Sequence, residues 1–148
     1  DHKIEYKNLF NSYSKISRIR KEWVYDKLNK FKYFKKFENI GILGLAYKEK
    51  TNSIKNSPSI NLIKKIKKLN LSNIITYDPK AKYAGVKQIK NLNLVIKNSS
   101  VIILMTPWKI FESINFKKFK NVRVIIDPYM LISKNQFTNK QTYISMGH

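Results

Sequence analysis

Residues 41–59 read GILGLAYKEKTNSIKNSPS, a stretch that passes from an apolar run through a polar loop into the start of a helix. The apolar run and Gly44 indicate a buried strand that ends in a tight turn or a close approach to the next helix. Ser57 can cap that helix, and Pro58 suits its first turn. Apolar residues at helical spacing predict its buried face: Ile60, Ile63, Ile66 and Leu69. This order indicates the beginning of an α/β domain.

Short apolar runs continue to alternate with polar helical segments as far as residue 132. The alternation predicts strands over residues 39–46, 73–77, 101–105 and 122–127, with a further short strand near Ile89. It also predicts a helix over residues 92–97 and a short helix that follows Pro107 through Phe111. The polar tail after Ile132 is expected to wrap the surface. The predicted fold class is α/β, a Rossmann-like open and mostly parallel sheet with flanking helices, over residues 36–148.

An N-terminal helical segment is predicted over residues 1–35, in front of this domain. Residues 6–34 contain no Pro or Gly, and one long helix or two successive helices would fit them. Apolar residues recur there at helical spacing: Leu9, Phe10, Tyr13, Ile16, Ile19, Trp23, Leu28 and Phe31. So much aromatic surface must pack against the following domain, a missing domain or a second copy of the chain.

The composition narrows the classes of function. The 148 residues include 30 basic and 9 acidic side chains, a net charge of +21, but only three of the basic residues are arginine. Arginine is the preferred side chain for bidentate phosphate and base recognition, so a solvated lysine surface is favoured over a polyanion-binding one. The chain has no cysteine, no long apolar segment and no signal-peptide core, which fits a cytoplasmic protein without disulfides or membrane spans. Because it begins with Asp1, it is compatible with a piece of something longer.

The loop after the first strand is the candidate ligand site. It follows the carboxyl end of that strand, where open α/β sheets bind ligands. The loop offers ammonium groups, hydroxyls and free amides, which are the groups that hold a diphosphate: Lys48, Lys50, Lys55, Thr51, Asn52, Ser53 and Asn56. The glycines of residues 41–46 do not form a full G-x-G-x-x-G, so they are weak evidence for a dinucleotide.

Other candidate residues have simpler structural explanations. Asp78 could bind a ribose, although a turn or cap role is favoured. Trp108 and Phe111 are expected in the core rather than against a base. Asp127 ends a buried strand and could face a ligand. The two histidines stand at the chain ends, so neither a metal site nor a histidine base is predicted.

Several motifs resemble, in order and spacing, those of the UDP-glucose/GDP-mannose dehydrogenase family in its C-terminal domain. The resemblance covers about residues 36–132, and the preceding helix resembles the end of the family's central, dimer-forming helical region. The motifs are GLAYK at 44–48 (family G-L-A-F-K), TNSIK at 51–55 (T-D-D-x-R), SP at 57–58, YDPKA at 77–81 (Y-D-P-x-A), TPWKIF at 106–111 (T-x-W-x-x-F) and IID at 125–127, like the strand before D-G-R.

The resemblance implies roles for three residues of the first loop. Tyr47 and Lys48 stand where the family contacts the sugar nucleotide, and Lys55 stands where a family arginine helps at the cofactor side. Lysine keeps that positive charge but loses the guanidinium fork. The chain departs from the family pattern at four positions that bear on the choice of sugar and on the affinity: Asn52 and Ser53 replace two acids, and Pro128 and Tyr129 replace Gly-Arg, whose arginine contacts substrate.

The function that the resemblance implies is nucleotide-sugar (UDP-sugar) binding in an NAD-dependent dehydrogenase that oxidises a sugar-nucleotide alcohol to a uronic acid for polysaccharide biosynthesis. The reaction needs a cysteine nucleophile, so this chain alone is expected to be inactive. NAD would be bound mainly by a domain absent from this chain, and the full-length protein would be a homodimer with neither nucleic-acid nor membrane partners. Two alternatives are a nucleic-acid-binding module that uses the lysines of 64–68 and 117–120, and an interaction module built on the helical stripe with Trp23 and Phe31.

Overall fold

The computed structural model describes residues 2–30, 39–69 and 73–147. Its α-helices are α1 (His2–Lys30), α2 (Pro58–Lys68) and α3 (Leu92–Lys97). Its strands are β1 (Asn39–Leu43), β2 (Asn73–Tyr77), β3 (Lys87–Gln88), β4 (Val101–Leu104), β5 (Val124–Asp127) and β6 (Thr142–Ser145). Three short 3₁₀ helices cover Lys109–Ser113, Phe116–Lys118 and Lys134–Gln136. None of the helices in this part of the chain has the length and apolar character needed to cross a bilayer.

The six strands form one sheet in the order β3-β2-β1-β4-β5-β6, and every neighbouring pair is parallel. This is the Rossmann strand order, so the predicted α/β fold class is confirmed. The central strands β4 and β5 are buried along their whole length, as expected where helices and loops cover both faces. The strand order reverses between β1 and β4, and a crevice at the carboxyl ends of these two strands is where such sheets bind ligands.

The predicted strands are present, with shifts at their ends. β1 stops at Leu43 rather than at residue 46, because Gly44 has a φ of 102°, which interrupts an extended chain. β2 covers the predicted residues, β4 ends one residue early, and β5 begins at Val124 rather than at residue 122. The short strand β3 lies just before Ile89, whose N–H donates to the Thr76 carbonyl at 2.9 Å.

Helix α2 was predicted correctly in position, but two details of its ends were wrong. Ser57 is the N-cap residue, yet its hydroxyl donates to the Leu45 carbonyl at 2.7 Å and caps nothing in the helix. Leu69 follows the last helical residue and is 41% exposed, so it does not belong to the buried face. Leu62, which the sequence pattern omitted, is fully buried in its place. Ile60, Ile63 and Ile66 are buried as predicted.

The segment after residue 106 is an irregular crossover between β4 and β5. The predicted short helix is a 3₁₀ helix that begins at Lys109, two residues after Pro107. Its Phe111 is completely buried and forms an edge-on aromatic contact with Tyr77. Trp108 is 8% exposed, so both aromatic residues belong to the core, as predicted.

The tail after Ile132 does more than wrap the surface, contrary to the sequence prediction. It adds β6, which pairs with β5 along its whole length, from Val124 opposite Thr142 to Asp127 opposite Ser145. The buried side chain of Gln141 fixes the start of β6 by donating to three carbonyls of the crossover, those of Phe116, Phe119 and Val122. The strand was missed because only four residues with one buried side chain form it.

Helix α1 is one continuous helix as far as Lys30, which settles the choice between one helix and two for those residues. Its second half packs on the α/β domain: Val24 is fully buried, and Trp23, Tyr25 and Leu28 are partly buried against the core. The first half leaves large apolar side chains exposed, namely Ile4, Tyr6, Leu9 and Ile16, and Ile19 just beyond it is exposed as well. The side chains of Phe10 and Tyr13, the residue Phe31 and the expected boundary near residue 35 lie outside the described part.

Candidate functional site

The glycine turn after β1 is packed against the loop that follows β4. A Cβ atom on Gly44 would overlap the side chain and the backbone nitrogen of Thr106, and its φ of 102° is one that other residues rarely adopt. Only glycine therefore permits this approach. Thr106 also donates its hydroxyl to the Ala46 carbonyl at 2.9 Å, so the turn and the neighbouring loop form one unit at the switch point of the sheet.

All three carbonyls of the turn are satisfied by buried hydroxyls. Ser59 donates to Gly44 at 2.7 Å, Ser57 to Leu45 at 2.7 Å and Thr106 to Ala46 at 2.9 Å. The start of α2 is covered by the same contacts, since Ser57 is 2% exposed and Ser59 is completely buried. In a dinucleotide site this helix N-terminus faces the pyrophosphate. Here it faces the protein's own turn.

Asp78, directly after β2, supplies the carboxylate that the N–H groups of the glycine turn bind. The residue is 7% exposed. It accepts five N–H groups: those of Leu45 (2.7 Å), Ala46 (3.0 Å), Lys80 (2.8 Å), Ala81 (2.7 Å) and the Trp108 indole (3.2 Å). The turn role predicted for Asp78 is confirmed, and its reach across to the glycine turn was not foreseen. A carboxylate so fully bonded is not available to a ribose.

The backbone amides of residues 44–47, which lead into the predicted ligand loop, are all bonded within the protein. The N–H of Gly44 donates to the Tyr77 carbonyl and that of Tyr47 to the Ser53 carbonyl, both at 2.8 Å, while Asp78 takes the two between them. The turn thus cannot cradle an NAD pyrophosphate with its backbone, and its residues do not fit that cofactor. Ligand contacts from residues 44–47 must therefore come from side chains.

The side chains predicted to contact a ligand lie on the outer part of this loop. Tyr47 is half-buried, and Lys48 directly follows it and is exposed. The bond between Tyr47 and Ser53 closes a short loop in which Lys50 adopts a left-handed φ of 61°. Lys55 is exposed at the far end of the loop, two residues beyond Ser53. Tyr47 and Lys48 thus stand at the start of this closed loop, at the end of the turn of residues 44–47 (the braced turn), and Lys55 follows the closing residue Ser53 by two positions.

Asp127 at the end of β5 is completely buried, so it does not face a ligand. It accepts the Tyr143 hydroxyl at 2.8 Å, the Ile132 N–H at 2.9 Å and the Tyr129 N–H at 3.2 Å. The pKa of the Asp127 carboxyl is raised, because the effect of burial exceeds the opposing effect of these hydrogen bonds. Burial and the bond to Asp127 also raise the pKa of Tyr143. The role of Asp127 is to hold the turn that follows β5.

The turn after β5 brings a residue pair to the carboxyl edge that sequence reasoning missed. Tyr129 donates its hydroxyl to the Met105 carbonyl at 3.1 Å, and the Arg20 guanidinium lies 4.5 Å from the centre of its ring. No sequence signal could pair residues 109 positions apart on a helix and a loop. Within the described residues, no three His, Cys, Asp or Glu side chains converge as a metal site.

Residues 41–134, well over half of the chain, match the family model described as the UDP-glucose/GDP-mannose dehydrogenase family, UDP binding domain. The chain belongs to this family. It is 30% identical over 104 residues to the UDP-glucose 6-dehydrogenase of Rickettsia bellii, covering 62% of this chain and 24% of that protein. It is 31% identical over 98 residues to the UDP-N-acetyl-D-mannosamine dehydrogenase of Pyrococcus horikoshii, covering 64% and 22%. The chain therefore spans about a quarter of the length of these relatives.

Solved structures of nucleotide-sugar dehydrogenases share the fold of this family member. The NDP-N-acetyl-D-galactosaminuronic acid dehydrogenase of Methanosarcina mazei superposes with a TM-score of 0.72 at 20% identity, over 91% of this chain and 30% of that one. The UDP-D-ManNAc dehydrogenase of Pyrococcus horikoshii gives 0.68 at 23% identity, over 88% and 30%. At these identities the likeness supports the α/β architecture of the family.

Proposed function

We propose that this domain binds a UDP-sugar at the carboxyl edge of its sheet, with Tyr47 and Lys48 as the contact residues. The observation that carries the proposal is the braced turn: four consecutive backbone N–H groups, of residues 44–47, are bonded internally, and Tyr47 and Lys48 stand at its outer end. So constrained a backbone loses little further freedom when a side chain on it binds a ligand. The match of residues 41–134 to a UDP binding domain supports the same ligand.

The two side chains offer complementary chemistry. The Lys48 ammonium is exposed and can approach a phosphate or a sugar hydroxyl as a point charge. The half-buried Tyr47 presents an aromatic ring and a hydroxyl, which suit stacking on a ligand and a hydrogen bond to it. Together they would hold a diphosphate from outside the turn, since the helix N-terminus behind the turn is covered.

The wider proposal is that the domain serves an NAD-dependent nucleotide-sugar 6-dehydrogenase. NAD would accept hydride from the sugar alcohol, and the residues of this chain would orient the sugar nucleotide for that transfer. Lys55 is proposed to approach the cofactor side with a single positive charge. The cofactor itself would be held mainly outside these residues, because the turn after β1 does not fit its pyrophosphate.

The setting and assembly of the protein are part of the same proposal. We place the enzyme in the cytoplasm as a homodimer, without nucleic-acid or membrane partners. The apolar first half of α1, which includes the exposed Leu9 and Ile16, supports pairing through this helix. Trp23 is partly buried against the chain's own core, so its substitution would also disturb the fold. A test of dimer formation should therefore substitute the exposed Leu9 or Ile16 and leave Trp23 unchanged.

The first prediction is that the chain binds UDP. A titration with UDP, followed through the backbone amide NMR signals, tests it. Signals of residues 44–57 are expected to move, and Lys48→Ala is expected to weaken binding about tenfold or more because a charged contact to phosphate is lost. Lys64→Ala, which removes an exposed lysine from α2, serves as the control and should bind like the wild type. Equal affinities for all three proteins would contradict the role of Lys48.

A further inference from the structure

A stacked cation and ring stand at the same edge of the sheet as the proposed UDP-sugar site. The Arg20 guanidinium, on α1, lies 4.5 Å from the centre of the Tyr129 ring, and Tyr129 lies in the turn that follows β5. Arg20 is half-buried, whereas Arg18 on the same helix is exposed. The Arg20–Tyr129 pair thus joins α1 to the carboxyl edge.

Hydrogen bonds connect the Arg20–Tyr129 pair to the braced turn. The Tyr129 hydroxyl donates to the Met105 carbonyl at 3.1 Å, and the Met105 N–H donates to the Leu43 carbonyl at 2.8 Å. The next residue, Thr106, donates to the Ala46 carbonyl, one residue before Tyr47. The pair is therefore bonded to the residue that follows β4, and Tyr47 belongs to the turn that follows β1; the strand order reverses between these two strands.

The Tyr129 ring is carried by a constrained turn. Asp127 accepts the N–H groups of Tyr129 and Ile132, and the Met130 N–H donates to the Asp127 carbonyl at 3.3 Å. Met130 has a left-handed φ of 54° and is 58% exposed, an unfavourable arrangement for an apolar side chain. Such backbone strain persists where the surroundings fix it, and it concentrates at ligand sites.

We propose that the Arg20–Tyr129 pair forms the second wall of the site and binds an anionic oxygen of the sugar nucleotide. A guanidinium placed over a ring interacts through its cationic centre and keeps N–H donors that can form a bidentate contact with a phosphate or a carboxylate. The helix α1 would then contribute directly to ligand recognition. This inference rests on the proposed function, since it assigns further residues to the same site.

The second prediction concerns Arg20→Lys. Calorimetry on the full chain would measure its affinities for UDP, UDP-glucose and UDP-glucuronate. Lysine keeps the charge but loses the fork and the planar stacking surface, so an about tenfold loss of affinity is expected. If all three ligands lose affinity, the diphosphate is the bound anion. If only UDP-glucuronate does, the sugar carboxylate is. Arg18→Lys is the matched control and should leave all three affinities unchanged.

A second pair of variants separates ligand binding from a role in docking α1. Tyr129→Phe keeps the ring and should retain most of the affinity. Tyr129→Leu should reproduce the loss expected for Arg20→Lys. A protein that carries both Arg20→Lys and Tyr129→Leu should lose no more affinity than either single variant. Unchanged affinities in Arg20→Lys, with a lowered melting temperature and with Lys48→Ala still defective, would overturn this inference alone. Absence of UDP binding in the wild type would overturn the proposed function and this inference together.

Discussion

At the residue scale, the Asp78 carboxylate accepts five N–H groups at the end of β2, and two of them belong to the turn that carries Tyr47. One oxygen takes the N–H groups of Leu45, Ala46 and the Trp108 indole, and the other takes those of Lys80 and Ala81. A buried carboxylate in such a network holds several loops in one arrangement. Asp78 thereby fixes the base of the candidate site without touching a ligand.

The third prediction concerns Asp78→Asn, which has almost the same shape. An amide NH₂ would face at least two N–H donors whichever way the side chain turns, so at least two hydrogen bonds would be lost and donors left buried without partners. The expected loss is about 3 kcal/mol in the free energy of unfolding. Urea denaturation measures it, with Asp26→Asn, at an exposed position on α1, as the control. A change smaller than about 1 kcal/mol would show that water or rearrangement satisfies those donors.

At the element scale, the sixth strand depends on one polar side chain. Gln141 is 8% exposed, its NH₂ group donates to the carbonyls of Phe116, Phe119 and Val122, and its oxygen accepts the Thr138 N–H at 3.0 Å. These bonds tie the start of β6 to the crossover that leads into β5. β6 in turn contributes Tyr143, whose hydroxyl binds Asp127.

The fourth prediction is that Gln141→Leu destabilises the fold by about 2–3 kcal/mol, because three carbonyls and one N–H lose a buried partner. Gln136 is a matched comparison: its NH₂ group donates to the carbonyls of Glu112 and Ile114, but it is only half-buried. Water can replace its contacts, so Gln136→Leu should cost about 1 kcal/mol. Chemical denaturation of the two variants would measure both losses. Equal losses in the two variants would mean that burial does not set the value of these bonds.

The elements differ in how far the sequence could predict them. Continuous apolar runs located β1, β2, β4 and β5, because strands of a parallel sheet are buried on both faces. Apolar residues at helical spacing located α2 and α3. β6 has one buried side chain, and its place depends on contacts with residues about twenty positions earlier, which no local pattern encodes. The site divides in the same way. The position of the candidate ligand loop follows from β1, the strand that precedes it. The bonds from the Leu45 and Ala46 N–H groups to Asp78 depend instead on how β1 pairs with β2.

At the scale of the whole molecule, the two lysine clusters of residues 64–68 and 117–120 are separated from the candidate ligand edge. The lysines of residues 64–68 lie in the last turns of α2, which leads toward the amino end of β2, and residues 117–120 lead into the amino end of β5. Two of these lysines have internal partners: the Lys65 ammonium lies 4.6 Å from the centre of the Tyr25 ring, and Lys67 donates to the Gly85 carbonyl. These contacts favour a solvated, partly structural role for the basic surface.

The fifth prediction follows from that separation. A polyanion attracted by the net charge of +21 would meet the lysines near the amino ends of the strands, whereas UDP would meet Lys48 at the carboxyl ends. Anisotropy of a labelled DNA duplex should therefore show weak binding that falls steeply between about 50 and 200 mM salt and is unaffected by saturating UDP. Lys117→Glu should weaken DNA binding and spare UDP, and Lys48→Ala should do the reverse. Displacement of the duplex by UDP would place both ligands on one surface and favour a nucleic-acid function for the Lys48 loop.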